Sequence, residues 1–110
     1  MAEMVPAHLL EHVAERFRVL GDSTRLAILR ALLAEGELNV GQLVERLGMS
    51  QANISKHLRT LADARLVARR AEGTAAYYRV ADPSLTKLCD LVCDRLREQA
   101  DEQARAFSAV

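Results

Sequence analysis

Apolar residues recur at three- and four-residue steps along most of the chain, and the pattern breaks at residues suited to capping or stopping helices. Leu9, Leu10, Val13, Phe17 and Leu20 predict a first amphipathic helix from Pro6 to Leu20, closed by Gly21. Asp22 or Ser23 is placed to cap a second helix carrying Leu26, Ile28, Leu29, Leu32 and Leu33. That helix is apolar over much of its circumference, so it is expected at the buried centre of the fold. Glu35-Gly36 stops it, and Asn39 caps a short third helix with Val40, Leu43, Val44 and Leu47 facing inward. Gly48 suits the left-handed position just past a helix end, and Ser50 suits the N-cap of the next helix. The third and fourth helices must therefore turn sharply at Gly48-Met49-Ser50. The fourth runs from about Gln51 to Ala64 with Ile54, Leu58, Leu61 and Ala62 inward. Its outward face holds Ala52, Lys56, Arg59, Thr60 and Asp63, with Ser55 at the edge.

After Arg65 the period changes. Leu66–Glu72 and Ala75–Val80 are short β-prone runs joined by Gly73-Thr74, which predicts a hairpin. Asp82-Pro83 is an N-cap followed by proline at the first helical position. The last helix starts there, carries Leu85, Leu88, Cys89, Val92 and Leu96 as its stripe, and is expected to reach about Arg105, with a frayed end beyond. No repeat, linker or low-complexity segment interrupts the sequence, so residues 1–110 form one expected domain, mainly α with a β-hairpin.

Composition sharpens this picture in a few places. Half of the residues are apolar and 27% are charged, an ordinary globular balance that excludes a disordered or collagen-like chain. Only two cysteines occur, which points to a reducing, cytoplasmic setting rather than a disulfide scaffold. No apolar run approaches the ~20 residues of a membrane span, and Glu3 stands early in a start unlike a signal peptide. The formal net charge is zero, yet residues 50–80 carry six basic side chains against two acidic ones. Lys56, Arg59, Arg65, Arg69, Arg70 and Arg79 are opposed only by Asp63 and Glu72. Such a block is either a solvated face or a footprint for a polyanion.

The location of the block favours the second alternative. A short helix, a tight turn, a polar-faced helix and a hairpin describe a winged helix-turn-helix. Its recognition helix fits the major groove of B-DNA, and its wing carries cations to neighbouring phosphates. Phe17–Leu32, containing Leu20-Gly21-Asp22-Ser23-Thr24-Arg25-Leu26, resembles the opening pattern of the ArsR/SmtB repressors. Leu43–Leu61 resembles their helix-turn-helix, and Tyr77–Pro83 their second wing strand and its exit. The resemblance covers residues 7–100, with a helix-turn-helix at 40–64, a wing at 66–80 and a C-terminal dimerisation helix at 83–105. It implies a homodimer paired through the first and last helices. It also implies a repressor that leaves an operator, an inverted repeat in double-stranded DNA, when an effector arrives.

On that reading Gln51, Ala52, Asn53, Ser55 and Lys56 face base edges. Gln or Asn can pair with adenine, Lys can reach guanine acceptors, and the Ala52 methyl can meet a thymine methyl. His57, Arg59, Arg69, Arg70 and Arg79 are assigned to phosphate contacts or, for His57, to packing. Thr74 stands at the wing tip where the family often has a basic residue, which implies a weaker contact there.

Two metal sites of the family can be checked by position. The stretch Glu37–Leu43 has no cysteine, so the third-helix thiolate site is absent. Asp82 and Glu98 match two ligand positions of the last-helix site, but Ser84 and Arg95 stand where imidazoles are required. Serine is a poor zinc ligand and the guanidinium offers no lone pair, so that site is broken. Cys89 and Cys93 remain, one turn apart on the last helix and near the expected dimer interface. They are either small packing residues or an effector site for a soft metal ion or a reactive sulfur or oxidant species. His8 and His12 repeat the spacing on the first helix, as solvated residues or as part of a mixed His/Cys site.

No cofactor is required. No glycine-rich phosphate loop, nucleophile elbow or HExxH motif occurs, so an enzyme is not expected. The alternatives to an effector-released repressor are a winged-helix regulator without an effector and a protein-interaction module of the same fold.

Overall fold

The computed structural model describes residues 4–109. A 3-10 turn at Ala7–Leu9 leads into α1 (Leu10–Leu20), followed by α2 (Ser23–Glu35), β1 (Leu38–Asn39), α3 (Val40–Leu47) and α4 (Gln51–Asp63). The hairpin β2 (Val67–Glu72) and β3 (Ala75–Val80) follows, and α5 (Ser84–Ser108) ends the chain.

The caps sit where local chemistry places them. The Asp22 carboxylate accepts the backbone N–H of Arg25 at 3.0 Å. Asn39 accepts from Gln42 N–H at 2.8 Å while the Gln42 side chain accepts from Asn39 N–H at 2.9 Å, a reciprocal capping box. Gly48 takes φ +65° at the end of α3, and the Ser50 hydroxyl accepts from Asn53 N–H at 3.1 Å. Three residues, Gly48 to Ser50, therefore suffice to end one helix and start the next. Pro83 lies just outside α5 rather than in its first turn, but Asp82 still serves the helix end, accepting Ser84 N–H at 2.9 Å and its hydroxyl at 2.6 Å.

The core joins Ile28 and Leu32 of α2, Leu43 of α3, and Ile54, Leu58 and Leu61 of α4 to Leu66 and Leu85, all fully buried. Burying each such side chain stabilises by about 1.5–3 kcal/mol. The expectation for α2 holds on one side only: Ile28, Leu29 and Leu32 are buried, whereas Leu26 and Leu33 remain exposed.

Three further features depart from the sequence reading. The sheet has three strands in the order β1-β3-β2, because Leu38 and Asn39 pair with Tyr78 and Tyr77. A two-residue strand is too short to show alternation. Helix α5 continues to Ser108 instead of stopping near Arg105, its last turn closed by the Ser108 hydroxyl on Ala104 O and by Ala109 N–H on Arg105 O. The third departure is the end of α4. Arg65 adopts φ +60°, with its N–H on Ala62 O and the N–H of Leu66 on Leu61 O. This is a Schellman closure built without glycine. It costs about 1–2 kcal/mol relative to ordinary backbone, and it delivers Leu66 into the core.

Two outcomes follow from these end groups. Arg65→Gly relieves the left-handed strain and is expected to stabilise the fold by up to ~1 kcal/mol after glycine's own entropy cost, read as a raised thermal midpoint; a lowered midpoint contradicts the strain. The carboxyls of Asp22 and Asp82 lie below the ordinary range, Asp22 through the Arg25 N–H, and Asp82 through the hydroxyl and N–H of Ser84 and the nearby Arg16. Groups lowered in the folded state hold their full stabilisation above the ordinary carboxylate range and lose it as pH falls through and below that range. Asp22→Asn keeps a capping oxygen but removes the titration, so a melting series from pH 7 to pH 3 is expected to fall less steeply in that variant.

Candidate nucleic-acid interface

The solvent side of α4 is concave where the wing returns to it. Ala52, Ser55, Lys56, Arg59, Thr60 and Asp63 line an open groove of about 580 Å³ whose far wall is Tyr78 of β3. The groove exists because α4 is apolar on one side only: Ile54, Leu58 and Leu61 are buried, and the intervening positions are left outside. Gln51, Ala52, Ser55 and Lys56 are exposed on α4. Asn53 is half-buried, its side-chain amide 3.8 Å from the Met49 sulfur, so it leans back on the turn.

His57 turns toward α2, where its Nδ1 lies 3.2 Å from Nη1 of Arg25. A guanidinium can only donate, so Nδ1 accepts and the imidazole proton sits on Nε2. Arg25 is the most enclosed charged side chain among the paired ones, 12% exposed. It also donates from Nε to Val19 O at 2.6 Å and from Nη2 to Arg18 O at 3.3 Å. One guanidinium thus ties the end of α1, the start of α2 and the middle of α4. Sequence reasoning did not single out Arg25; its place three residues after the Asp22 cap was the available signal.

The wing cations fall on two faces. Arg69 stands opposite Tyr78 in the ladder, on the face that meets the α4 groove. Arg70 stands opposite Tyr77, and Arg79 opposite Ala68, on the other face. Arg70 pairs there with Glu37 and Glu72, both at 2.7 Å. Arg59, Arg69 and Lys56 are exposed. Thr74 and Gly73 form the wing tip, with a positive φ of 60° at Gly73.

A second concavity, of about 340 Å³, lies between α1, α2 and α5. Phe17, Leu20, Leu26, Leu88, Val92 and Leu96 line it together with both cysteines. Cys89 is half-buried and Cys93 exposed, and neither is in a disulfide. His8 and His12 are exposed on the first turn and α1. The last-helix metal positions do not fit a metal: Asp82 is engaged by Ser84 and Arg16, and Glu98 by Arg95, which also reaches Glu102. Among the described residues no group of three or more His, Cys, Asp or Glu side chains is arranged to hold an ion. No helix of the described residues is long and apolar enough to cross a membrane.

Comparison with known proteins places this geometry. The family model described as "Bacterial regulatory protein, arsR family" matches residues 22–69, from the α2 cap into β2. The chain is 38% identical over 82 residues to an uncharacterized HTH-type transcriptional regulator of Methanocaldococcus jannaschii, covering 74% of this chain and 92% of that protein. It is 33% identical over 82 residues to the arsenical resistance operon repressor of Bacillus subtilis, covering 74% and 78% respectively. The homodimeric winged helix-turn-helix DNA-binding domain from Mycobacterium bovis matches with a TM-score of 0.73 at 36% identity, over 89% of this chain and 92% of that one. With the fold, the exposed α4 face and the sequence match in agreement, the chain belongs to the arsR family of bacterial regulatory proteins and is a DNA-binding transcriptional regulator rather than an enzyme.

Proposed function

We propose that the chain acts as a homodimeric repressor that lays α4 in the major groove of an inverted-repeat operator and leaves it when thiols on α5 react or bind an effector. The observation that carries the DNA half is the shared groove: the polar side of α4 and Tyr78, the ladder partner of Arg69, line one concave surface. In this reading Gln51, Ala52, Ser55 and Lys56 meet base edges, with Asn53 supporting the turn. Arg59 and Arg69 meet phosphates, while Arg70, on the other face of the wing, is held by Glu37 and Glu72.

Dimerisation explains the apolar residues left outside the core. Leu9, Leu10 and Phe17 on the first turn and α1, and Leu91, Val92, Leu96 and Phe107 on α5, are all at least 41% exposed. Exposed apolar residues clustered on two helices mark an interface, and the first and last helices of a second copy supply the matching surface. The M. bovis relative is itself homodimeric.

The effector half rests on Cys89 and Cys93, the two free thiols, lining one apolar groove at that face. A twofold axis there gathers up to four thiols. Soft metalloids such as arsenite favour thiolates, and the B. subtilis relative is an arsenical resistance repressor. Oxidation is the competing chemistry: two thiols give up two hydrogens to hydrogen peroxide, forming one disulfide and two waters. Adjacent turns of one helix align a disulfide poorly, so the bond forms between subunits.

Gln51→Ala and Lys56→Ala are each expected to relax base preference at one position per half-site, at a cost of about 1–3 kcal/mol. Binding measured against a panel of single-base operator variants checks this; an unchanged preference contradicts the base-facing assignment. For the thiols, promoter binding is compared for reduced, peroxide-treated, tetrasulfide-treated and arsenite-loaded protein. Release in one treated state, lost in Cys89→Ser and Cys93→Ser, is the expected result. Equal binding in all states makes the cysteines packing residues and leaves a regulator without a thiol effector.

A further inference from the structure

The wing carries three arginines, but one of them is already neutralised. Arg70 donates from Nε and Nη2 to the two oxygens of Glu37, at 3.2 and 2.7 Å, and from Nη1 to Glu72 at 2.7 Å. Its Cζ lies 4.9 Å from the centre of the Tyr77 ring, which covers one face of the guanidinium. All three guanidinium nitrogens are engaged, and the bidentate, charge-assisted pair with Glu37 is the strong form of such a contact. Glu37 is held below its ordinary carboxylate range, first by the hydrogen bonds from Arg70 and then by the charges of Arg70 and Arg79. Glu37 immediately precedes β1, so the pair also ties the wing to the segment that leads into α3.

Sequence-independent DNA affinity is set by how many phosphates a protein neutralises, and each adds about 0.9 to the slope of log K against log salt. A guanidinium that must first leave two carboxylates contributes little to that count. We propose that Glu37 is a specificity-determining residue: by occupying Arg70 it withholds one cation from the phosphate backbone and keeps binding to unrelated DNA weak. Base reading by α4 then makes up a larger share of total affinity. The inference rests on the proposed reading that the wing lies along the duplex.

The test measures binding to an unrelated duplex and to the protein's own promoter across a salt series, by fluorescence anisotropy. The proteins are the wild type, Arg69→Ala, Arg70→Ala, Glu37→Gln and the Glu37→Gln/Arg70→Ala double variant. Thermal melts establish that each is folded, and Glu72→Gln supplies a second way to loosen Arg70. Glu37→Gln is expected to steepen the salt slope by about 0.9 and to tighten unrelated-DNA binding several-fold at ~0.1 M salt. Arg70→Ala alone leaves the wild-type slope unchanged, and in the double variant it cancels the gain. Three results overturn the inference: Arg70→Ala flattening the wild-type slope, the Glu37→Gln gain persisting without Arg70, or no gain at all. The Arg69→Ala slope tells which idea has failed. If it flattens while Glu37→Gln does nothing, only the Glu37 restraint is wrong. If no variant changes the slope, the wing reading falls as well.

Discussion

Everything that lets this chain read DNA depends on burying one side of α4 while leaving the other bare. Ile54, Leu58 and Leu61 have no exposed surface, and they fix the helix against α2 and α3. Arg25 adds a polar anchor, joining His57 to the carbonyls of Arg18 and Val19. A helix held this firmly can present short side chains such as Ala52 and Ser55 to a partner without losing their geometry to motion. The Arg65 turn belongs to the same constraint. Its strain is offset by the burial of Leu66, which closes the core beneath α4 and starts the wing at a fixed point.

Charge in this protein is organised by face rather than by segment. The basic excess of residues 50–80 counts Arg70 as free, but Glu37 lies outside that window and neutralises it. The ladder register separates the cations by strand parity. Arg69 falls on the groove side, whereas Arg70 and Arg79 fall on the side of Glu37. Exposed ion pairs contribute little to folding stability, so the arrangement matters for which cations a polyanion meets and hardly at all for holding the fold together.

The sequence made helices legible because their signals are local. Asp22, Asn39, Gly48 and Ser50 each act within one turn, and each sits at the helix end that its chemistry predicts. The hairpin was legible for the same reason, through Gly73 between two β-prone runs. What could not be read is non-local. Strand β1 exists only because β3 lies beside it. The Arg25–His57 contact spans 32 positions and the Arg70–Glu37 pair 33, and no periodicity connects such residues. The candidate site divides in the same way. The polar face of α4 followed from helical spacing, whereas the separation of Arg69 from Arg70 needed the strand register and the location of Glu37.

The two concave surfaces are joined by a short piece of chain. Leu20, Gly21 and Leu26 line the groove that holds Cys89 and Cys93, and Arg25 lies between them in sequence. The carbonyls that Arg25 grips, on Arg18 and Val19, belong to the last turn of α1, whose Phe17 also lines that groove. On the proposed reading, a ligand or a covalent change at the thiols would act on the α1–α2 joint, whose Arg25 contacts His57 of α4. For an effector to lower DNA affinity it must bind one arrangement of this joint better than the other. The enclosed guanidinium resists any gradual shift of this joint, because losing its acceptors carries an unsatisfied-group penalty. If the thiols are the effector site, their coupling to the DNA face needs no long chain of contacts. One arginine and one helix junction separate them.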